Sequence, residues 1–185
     1  TLREVGYKGQ ILSFDPLSEA YKKLQIAADK DPYWHVAERQ AIGDQDGEIE
    51  INLAGNSTSS SILPMNALHA EAAPQSRYIG VERVPIHRLD SIKHKAIDTG
   101  KSILLKIDTQ GYEMQVLLGA ERLLERVAGI QIELSLLPHY SGQALYREIF
   151  DYLTERDFAL WSIIPGFTDP VSGRMLQMDG VFFKD

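Results

Sequence analysis

The 185-residue sequence contains no cysteine. This absence excludes disulfide bonds, thiolate nucleophiles and zinc sites built on cysteine. A chain without cysteine is compatible with a reducing compartment, and we expect it to be cytoplasmic. Basic residues are also few, since 19 Lys and Arg face 26 Asp and Glu, for a net charge of −7. A protein that binds nucleic acid through the phosphate backbone needs a basic surplus, so we expect no nucleic-acid partner.

Long apolar segments and common catalytic motifs are absent as well. No apolar run approaches the roughly 20 residues that a membrane-spanning helix needs, and we expect no membrane partner. The sequence contains neither G-x-G-x-x-G nor G-x-x-x-x-G-K-[ST], which disfavours dehydrogenases, kinases and P-loop enzymes. It also lacks the G-x-S-x-G motif of α/β-hydrolases and any histidine pair with zinc-ligand spacing.

The most informative segment is residues 103–113, ILLKIDTQGYE. A short apolar run ends abruptly at Asp108, and a helical pattern of apolar residues follows up to Val127. Near-continuous apolarity predicts a strand covered on both faces, as in a parallel sheet between helices. Ligands of such sheets bind beyond the carboxyl ends of the strands, which is where Asp108 lies.

Predicted strands and helices alternate along the chain, which is typical of a doubly wound α/β sheet. Further strands are predicted over residues 10–16, 34–42, 48–53, 78–89 and 130–135, and helices over 18–29, 65–73 and 144–155, with Ser18 as the N-cap of the first. The last two strands, 158–164 and 181–183, have no helix between them and are expected to form an antiparallel hairpin. The length suits one domain over residues 1–185.

The first residues, TLREVGYKG, resemble the last turn of a helix that Gly6 ends. A strand entered from such a turn suggests that a strand and turn precede it, although a frayed turn without a predecessor is the alternative. A sheet lacking that strand would expose an edge, so we expect a tendency to form homo-oligomers.

Three acids, Asp15, Asp108 and Glu133, follow or end predicted strands and are expected to meet in one crevice. Each could instead be a helix cap or a loop residue. We expect no resident metal, with a divalent cation held by Asp108 and Glu133 as the alternative. His139, in a turn beyond a strand, is a candidate base or an ordinary surface histidine. The small polar loop at residues 54–61 either offers hydroxyls to a ligand or is a flexible linker.

Several motifs occur here in an order that resembles the FkbM-type methyltransferases: SFDP before a helix, the loop of residues 56–61, Leu89-Asp90, LKIDTQGYEMQVLLGA, IELS and LQMDGVFF. The resemblance covers nearly the whole chain, and KIDTQGYE is its most specific part. It implies a Rossmann-like methyltransferase sheet, mostly parallel with an antiparallel C-terminal hairpin. It also implies S-adenosylmethionine as the methyl donor and a hydroxyl of a small molecule or glycan as the acceptor. The family's first strand and its glycine-rich turn have no counterpart in this sequence.

The resemblance also implies roles for individual residues. Asp15 corresponds to the acid that binds the donor's ribose, and the adenine is flanked by Phe14, Pro16, Ala41 and Ile42. Asp108 and Gln110 face the methyl group and the acceptor. We expect Asp108 or His139 to be the base, and the acceptor to be oriented by Glu133, Ser59 and Ser60. A non-catalytic α/β scaffold that has lost the donor site is the alternative function.

Overall fold

The computed structural model describes residues 2–98 and 102–184, without the side chains at positions 68, 69 and 72. Nine strands are present in this part of the chain: β1 (Ile11–Ser13), β2 (Trp34–Val36), β3 (Ala41–Ile42), β4 (Gly47–Ala54), β5 (Tyr78–His87), β6 (Ile103–Ile107), β7 (Val127–Ser135), β8 (Phe158–Pro165) and β9 (Gln177–Lys184). The helices are α1 (Ser18–Ala28), α2 (Ala67–Ala72), α3 (Lys95–Asp98), α4 (Glu113–Leu118), α5 (Glu121–Leu124) and α6 (Tyr146–Thr154). Short 3-10 turns lie at Pro74–Ser76 and Leu89–Ser91.

The strands form a mixed α/β fold with three sheets where the sequence predicted one continuous sheet. The sheets have the orders β1-β2, β3-β5-β4 and β6-β7-β9-β8. The pairs β1-β2, β3-β5 and β6-β7 are parallel, and β4-β5, β7-β9 and β8-β9 are antiparallel. The predicted antiparallel hairpin at the C-terminal end is confirmed, with β8 at the sheet edge.

The larger hydrophobic core lies between one face of the four-stranded sheet and α4, α5 and α6. Alternate residues of β7 point into it, because successive side chains of a strand point to opposite faces. Ile130, Ile132 and Leu134 are buried there with Leu117 and Leu153. A second, smaller core covers the three-stranded sheet and includes Ile51, Val84 and Ile86.

Two details of the predicted strands are wrong. β6 is not covered on both faces, because Leu104 is 53% exposed on the side opposite the main core. The strand predicted over residues 34–42 is two short strands in different sheets. The pairing of this segment with β1 ends at Ala37, whose amide donates to the carbonyl of Ser13. Pairing with β5 begins only at Ala41. An apolar pattern reports burial, and it does not identify the strand's partner.

Both helix-end predictions near the N-terminus can be compared with the structure, although Thr1 lies outside the described residues. Gly6 has φ +86°, its amide donates to Arg3, and the amide of Tyr7 donates to Leu2. This pair of bonds is a Schellman motif, which confirms that Gly6 ends a helical turn. Ser18 is not an N-cap: Leu17 takes that position, and the Ser18 hydroxyl donates to Glu82 instead. Within the described chain, no helix has the length and apolarity to cross a membrane.

Candidate active site

A cavity of about 460 Å³ lies where the chain leaves β1 and β6 and where β7 ends. Parallel strands present their carboxyl ends at one edge of a sheet, so residues distant in sequence meet there. Nine of the residues singled out in the sequence line the cavity: Phe14, Asp15, Pro16, Ala41, Ile42, Ser60, Asp108, Gln110 and Glu133. The predicted convergence of Asp15, Asp108 and Glu133 at one crevice is therefore confirmed.

Asp15 is held at the first turn after β1. Its Oδ1 accepts a hydrogen bond of 3.0 Å from the amide of Leu17, which opens α1. Burial raises the pKa of Asp15, and the nearby carboxylate of Glu82 raises it further. Glu82 is itself paired with Arg39 at 2.9 Å. Asp15 lines the cavity, and no described residue donates a hydrogen bond to its second oxygen, Oδ2.

The turn after β6 has an unusual backbone that a buried acid holds in place. Gln110 has φ +54° and Gly111 has φ +99°, which is the left-handed region that favours glycine. Glu113 is 2% exposed, and its carboxylate accepts hydrogen bonds from the amides of Thr109 and Gly111. A Cβ at Gly111 would lie 2.8 Å from the ring of Tyr140, so only glycine fits at this position.

The Gln110 side chain bridges two carboxylates. Its Nε2 donates to Asp108 Oδ1 at 3.0 Å and to Glu133 Oε2 at 3.2 Å. Its Oε1 accepts a hydrogen bond of 3.1 Å from the hydroxyl of Tyr140. The Tyr140 hydroxyl also lies 3.2 Å from the carbonyl of Ser59, which ties the Gln110 side chain to the loop of residues 54–61. Asp108 is also paired with Lys106, whose Nζ lies 3.0 Å from Oδ2.

Glu133 is the most perturbed acid of the cavity. Burial, together with the nearby carboxylates of Asp108, Glu113 and Asp179, raises its pKa to about 8. Its Oε2 accepts from Gln110 and from Gln177, while Oε1 receives no hydrogen bond from the described residues. A carboxyl group with a pKa near neutrality is suited to exchange a proton with a substrate.

Two predicted site residues do not line the cavity. His139 is fully buried, its Nε2 lies 3.4 Å from the carbonyl of Leu176, and burial lowers its pKa. The structure therefore places His139 away from the cavity, and its role as a base stays a prediction. Ser59 is also buried, and its hydroxyl accepts a hydrogen bond from Asn56. It contributes to the turn of the loop and not to the surface of the cavity.

The loop of residues 54–61 is ordered by its own hydrogen bonds. Asn52 and Ser61 exchange backbone hydrogen bonds, and the Ser60 hydroxyl accepts from the amide of Ala54. The Ser61 hydroxyl donates to the carbonyl of Gln110 at 2.6 Å, which joins the loop to the turn after β6. The loop is therefore part of the cavity wall and not a linker.

Sequence reasoning missed Glu113, Tyr140 and Gln177, which hold the site without lining it. An acid placed directly after a glycine turn could have identified Glu113 as a partner of turn amides. Nothing in the sequence indicates that Tyr140 or Gln177 lies near Gln110 and Glu133, because the fold brings them there from distant segments. Among the residues that the structure describes, no three His, Asp or Glu side chains are grouped to hold a metal ion.

The comparison with known families agrees with this geometry. The family model for the methyltransferase FkbM domain matches residues 1–160. The chain belongs to the FkbM methyltransferase family. The resemblance seen in the sequence is thus confirmed, and the match includes every cavity residue named above. No curated protein and no solved structure matches the chain. In this FkbM domain, β9 and its Gln177 follow the matched residues.

Proposed function

We propose that the chain is an S-adenosylmethionine-dependent O-methyltransferase that acts on a hydroxyl of a small molecule or sugar. One observation carries the proposal: Asp15 and the bridged pair Asp108 and Glu133 line the same cavity, together with several apolar side chains. One acid is thus available for the donor, and two are available for the acceptor.

The residues present fit the donor. A cavity of about 460 Å³ is within the range of sites for small molecules and cofactors, which is roughly 300–1,000 Å³. Asp15 Oδ2 would accept hydrogen bonds from ribose hydroxyls, and Phe14, Ala41 and Ile42 would contact the adenine. The carboxylates that line the cavity would offset the positive charge of a sulfonium.

S-adenosylmethionine supplies, when bound, an electrophilic methyl group on its sulfonium. The protein must then align an acceptor hydroxyl and take its proton at or near transfer. Glu133 is our candidate base, because its Oε1 accepts no hydrogen bond from the described residues and burial raises its pKa to about 8. Asp108 and Ser60, which both line the cavity, would orient the acceptor.

We also infer the Rossmann-like sheet of a methyltransferase. β1 and β6 are edge strands of their sheets, and a cavity of about 390 Å³ lies between them. It is lined by Ile11 and Leu12 of β1 and by Leu104 of β6, which are apolar side chains. One strand between these edges would join β2-β1 and β6-β7-β9-β8 into a single sheet, and it would pair backbone groups that are otherwise unpaired.

Calorimetric titration with S-adenosylhomocysteine tests the donor site. We expect one-to-one binding to the wild-type chain and binding weakened at least tenfold in Asp15→Asn, which keeps the size of the side chain but removes its charge. Methyl transfer to a panel of hydroxylated compounds would then identify the acceptor. A complete absence of binding would contradict a donor site formed by these residues, while the family membership would stand.

A further inference from the structure

β9 places a glutamine against the proposed base from outside the family match. Gln177 opens this strand, directly opposite Ser135 in the antiparallel register with β7. It is 4% exposed, and its Nε2 donates to Glu133 Oε2 at 2.8 Å. The matched residues end at position 160, so the family model does not include this contact, although Gln177 lies in the LQMDGVFF motif of the sequence resemblance.

Both hydrogen bonds to Glu133 end on the same oxygen. Gln110 and Gln177 donate to Oε2 from two sides, and no described residue donates to Oε1. Glu133 lines the cavity, and its Oε1 is not sealed in the interior: in the described part of the chain, the one buried side-chain N or O atom without a partner is Gln115 Oε1. Two donors on Oε2 therefore leave Oε1 as the oxygen that a ligand meets.

Gln177 is in turn held by a chain of hydrogen bonds that leads back to Gln110. Its Nε2 also approaches the hydroxyl of Ser135 at 3.4 Å, and that hydroxyl accepts from Gln143 Nε2 at 2.7 Å. Gln143 Oε1 accepts from the amide of Tyr140 at 3.1 Å, and the Tyr140 hydroxyl donates to Gln110. A side-chain amide held by two hydrogen bonds loses little further freedom when it positions its partner.

We infer that Gln177 is a positioning residue for Glu133, which it holds by Oε2 so that Oε1 is presented to the acceptor hydroxyl. The inference rests on the proposed function for the role of Glu133 as base. The contact itself does not depend on that function. Gln177 acts only through Glu133, since it does not line the cavity.

The first test measures the Glu133 carboxyl directly, by ¹³C NMR titration of glutamate-labelled protein, with Glu133→Gln to assign the signal. Gln177→Met keeps the length of the side chain but removes the donor. We expect its Glu133 midpoint to lie about one pH unit above that of the wild type, because a hydrogen bond to a carboxylate favours the ionised form. Gln177→Asn, which keeps the amide but shortens its reach, should shift the midpoint in the same direction and serves if the first variant folds poorly.

Gln131→Met is the matched control. Gln131 lies on β7 and donates to Asp179 at 2.6 Å, so this change also removes an amide-to-carboxylate bond between β7 and β9. We expect it to leave the Glu133 midpoint within a few tenths of a unit. An unshifted midpoint in both Gln177 variants, or an equal shift in Gln131→Met, would overturn the inference whether or not the chain transfers methyl groups.

Kinetics then separate this inference from the proposed function. With an acceptor that the wild type methylates, we expect Gln177→Met to lower kcat about 10- to 100-fold, with KM for the donor unchanged and the pH midpoint of kcat displaced upward. A lowered kcat without displacement would indicate a merely structural role and would overturn the inference. A shifted NMR midpoint in a chain that transfers no methyl group would leave the contact established and would count against the proposed function.

Discussion

Glu133 links the stability of the fold to the proposed chemistry. In the unfolded chain its carboxyl titrates near the ordinary value of 4.5, while burial and three neighbouring carboxylates raise its pKa to about 8 in the folded state. Between these values the folded state holds a proton that the unfolded state has released. The free energy of unfolding must therefore fall as the pH rises through this window. The folded chain is therefore least stable at the pH values at which Glu133 is ionised and could act as a base.

The first prediction follows from this sign. As the pH rises from about 5 to about 8, the wild type should lose stability relative to Glu133→Gln by on the order of a few kcal/mol, since one pKa unit corresponds to about 1.4 kcal/mol. Urea unfolding at several pH values measures the difference. Glu155→Gln, which removes an exposed carboxylate just after α6, is the control for the loss of one acidic side chain. A difference for Glu133→Gln that does not change with pH would contradict the raised pKa.

Replacing Asp108 or Glu133 should affect methyl transfer, whereas replacing Asp15 should affect binding of the donor. We predict that Glu133→Gln lowers methyl transfer about 10²- to 10⁴-fold and that Asp108→Asn lowers it sharply, with nearly unchanged affinity for S-adenosylhomocysteine in both. Asp151→Asn, at an exposed position on α6, should have no effect. Turnover of Asp108→Asn equal to that of the wild type would remove Asp108 from the mechanism.

The sequence allowed the cavity acids to be predicted but not the residues that hold them. Asp15 and Asp108 follow short apolar strands, and that position alone brings them to the ligand edge. His139 has a similar position, yet its ring packs into the interior beside Phe167. Side-chain direction in an irregular turn depends on tertiary packing, so position beyond a strand was insufficient there. Tyr140 meets Gln110 across 30 positions of sequence, and no local pattern reports such a contact.

The α4–α5 junction explains two of the motifs that carry the family resemblance. Asp90 accepts hydrogen bonds from the amides of Arg122 and Leu123 at 2.9 Å, so the Leu89-Asp90 motif caps α5 and has a structural role. The amide of Asp90 donates to Gly119, the residue that ends α4. Gly119 in turn packs on Gly43, which directly follows β3 at the cavity wall. The end of LKIDTQGYEMQVLLGA thus supports the strand that carries Ala41 and Ile42.

This packing gives the prediction for helix α4. A Cβ at Gly119 would overlap the carbonyl oxygen of Gly43, a backbone atom that cannot rotate away. Gly119→Ala should therefore lower the free energy of unfolding by about 3 kcal/mol, at the upper end of overpacking effects. Gly80→Ala is the control, because its Cβ would lie 3.5 Å from the nearest side chain and should leave stability equal or slightly higher. Equal stability of the two variants in urea would contradict the close approach.

The kinds of element were predictable for most of the chain, while the arrangement of the sheets was not. Hydrophobic periodicity predicts β7 and α6. In β7 the buried residues largely alternate with less buried ones, and in α6 the buried Ile149 and Leu153 are four residues apart. It gave no information on pairing, so three sheets and the break between β2 and β3 were missed. Pairing depends on contacts between distant segments, and β3, with two residues, is too short to have a pattern of its own.

At the scale of the molecule, the cavity is the place where all three sheets meet. Asp15 follows β1, Ala41 lies on β3, and Asp108 follows β6. The sheet of β1 and β2 is short and contributes no residue to either main core cluster. We therefore expect it to unfold at a lower denaturant concentration than the four-stranded sheet when no ligand is bound.

The two tryptophans can report on the two sheets separately. Trp34 lies on β2 and donates to Ser13, and Trp161 lies on β8 with its ring 5.1 Å from that of Phe183. In Trp161→Phe, the fluorescence of Trp34 reports on the sheet of β1 and β2. In Trp34→Phe, the fluorescence of Trp161 reports on the four-stranded sheet. S-adenosylhomocysteine at 100 times its Kd should stabilise the folded chain by about 2.7 kcal/mol and raise both urea midpoints, the Trp34 midpoint more strongly. Because the ligand would contact β1, β3 and β6 together, a rise confined to Trp161 would show that the first sheet takes no part in the site.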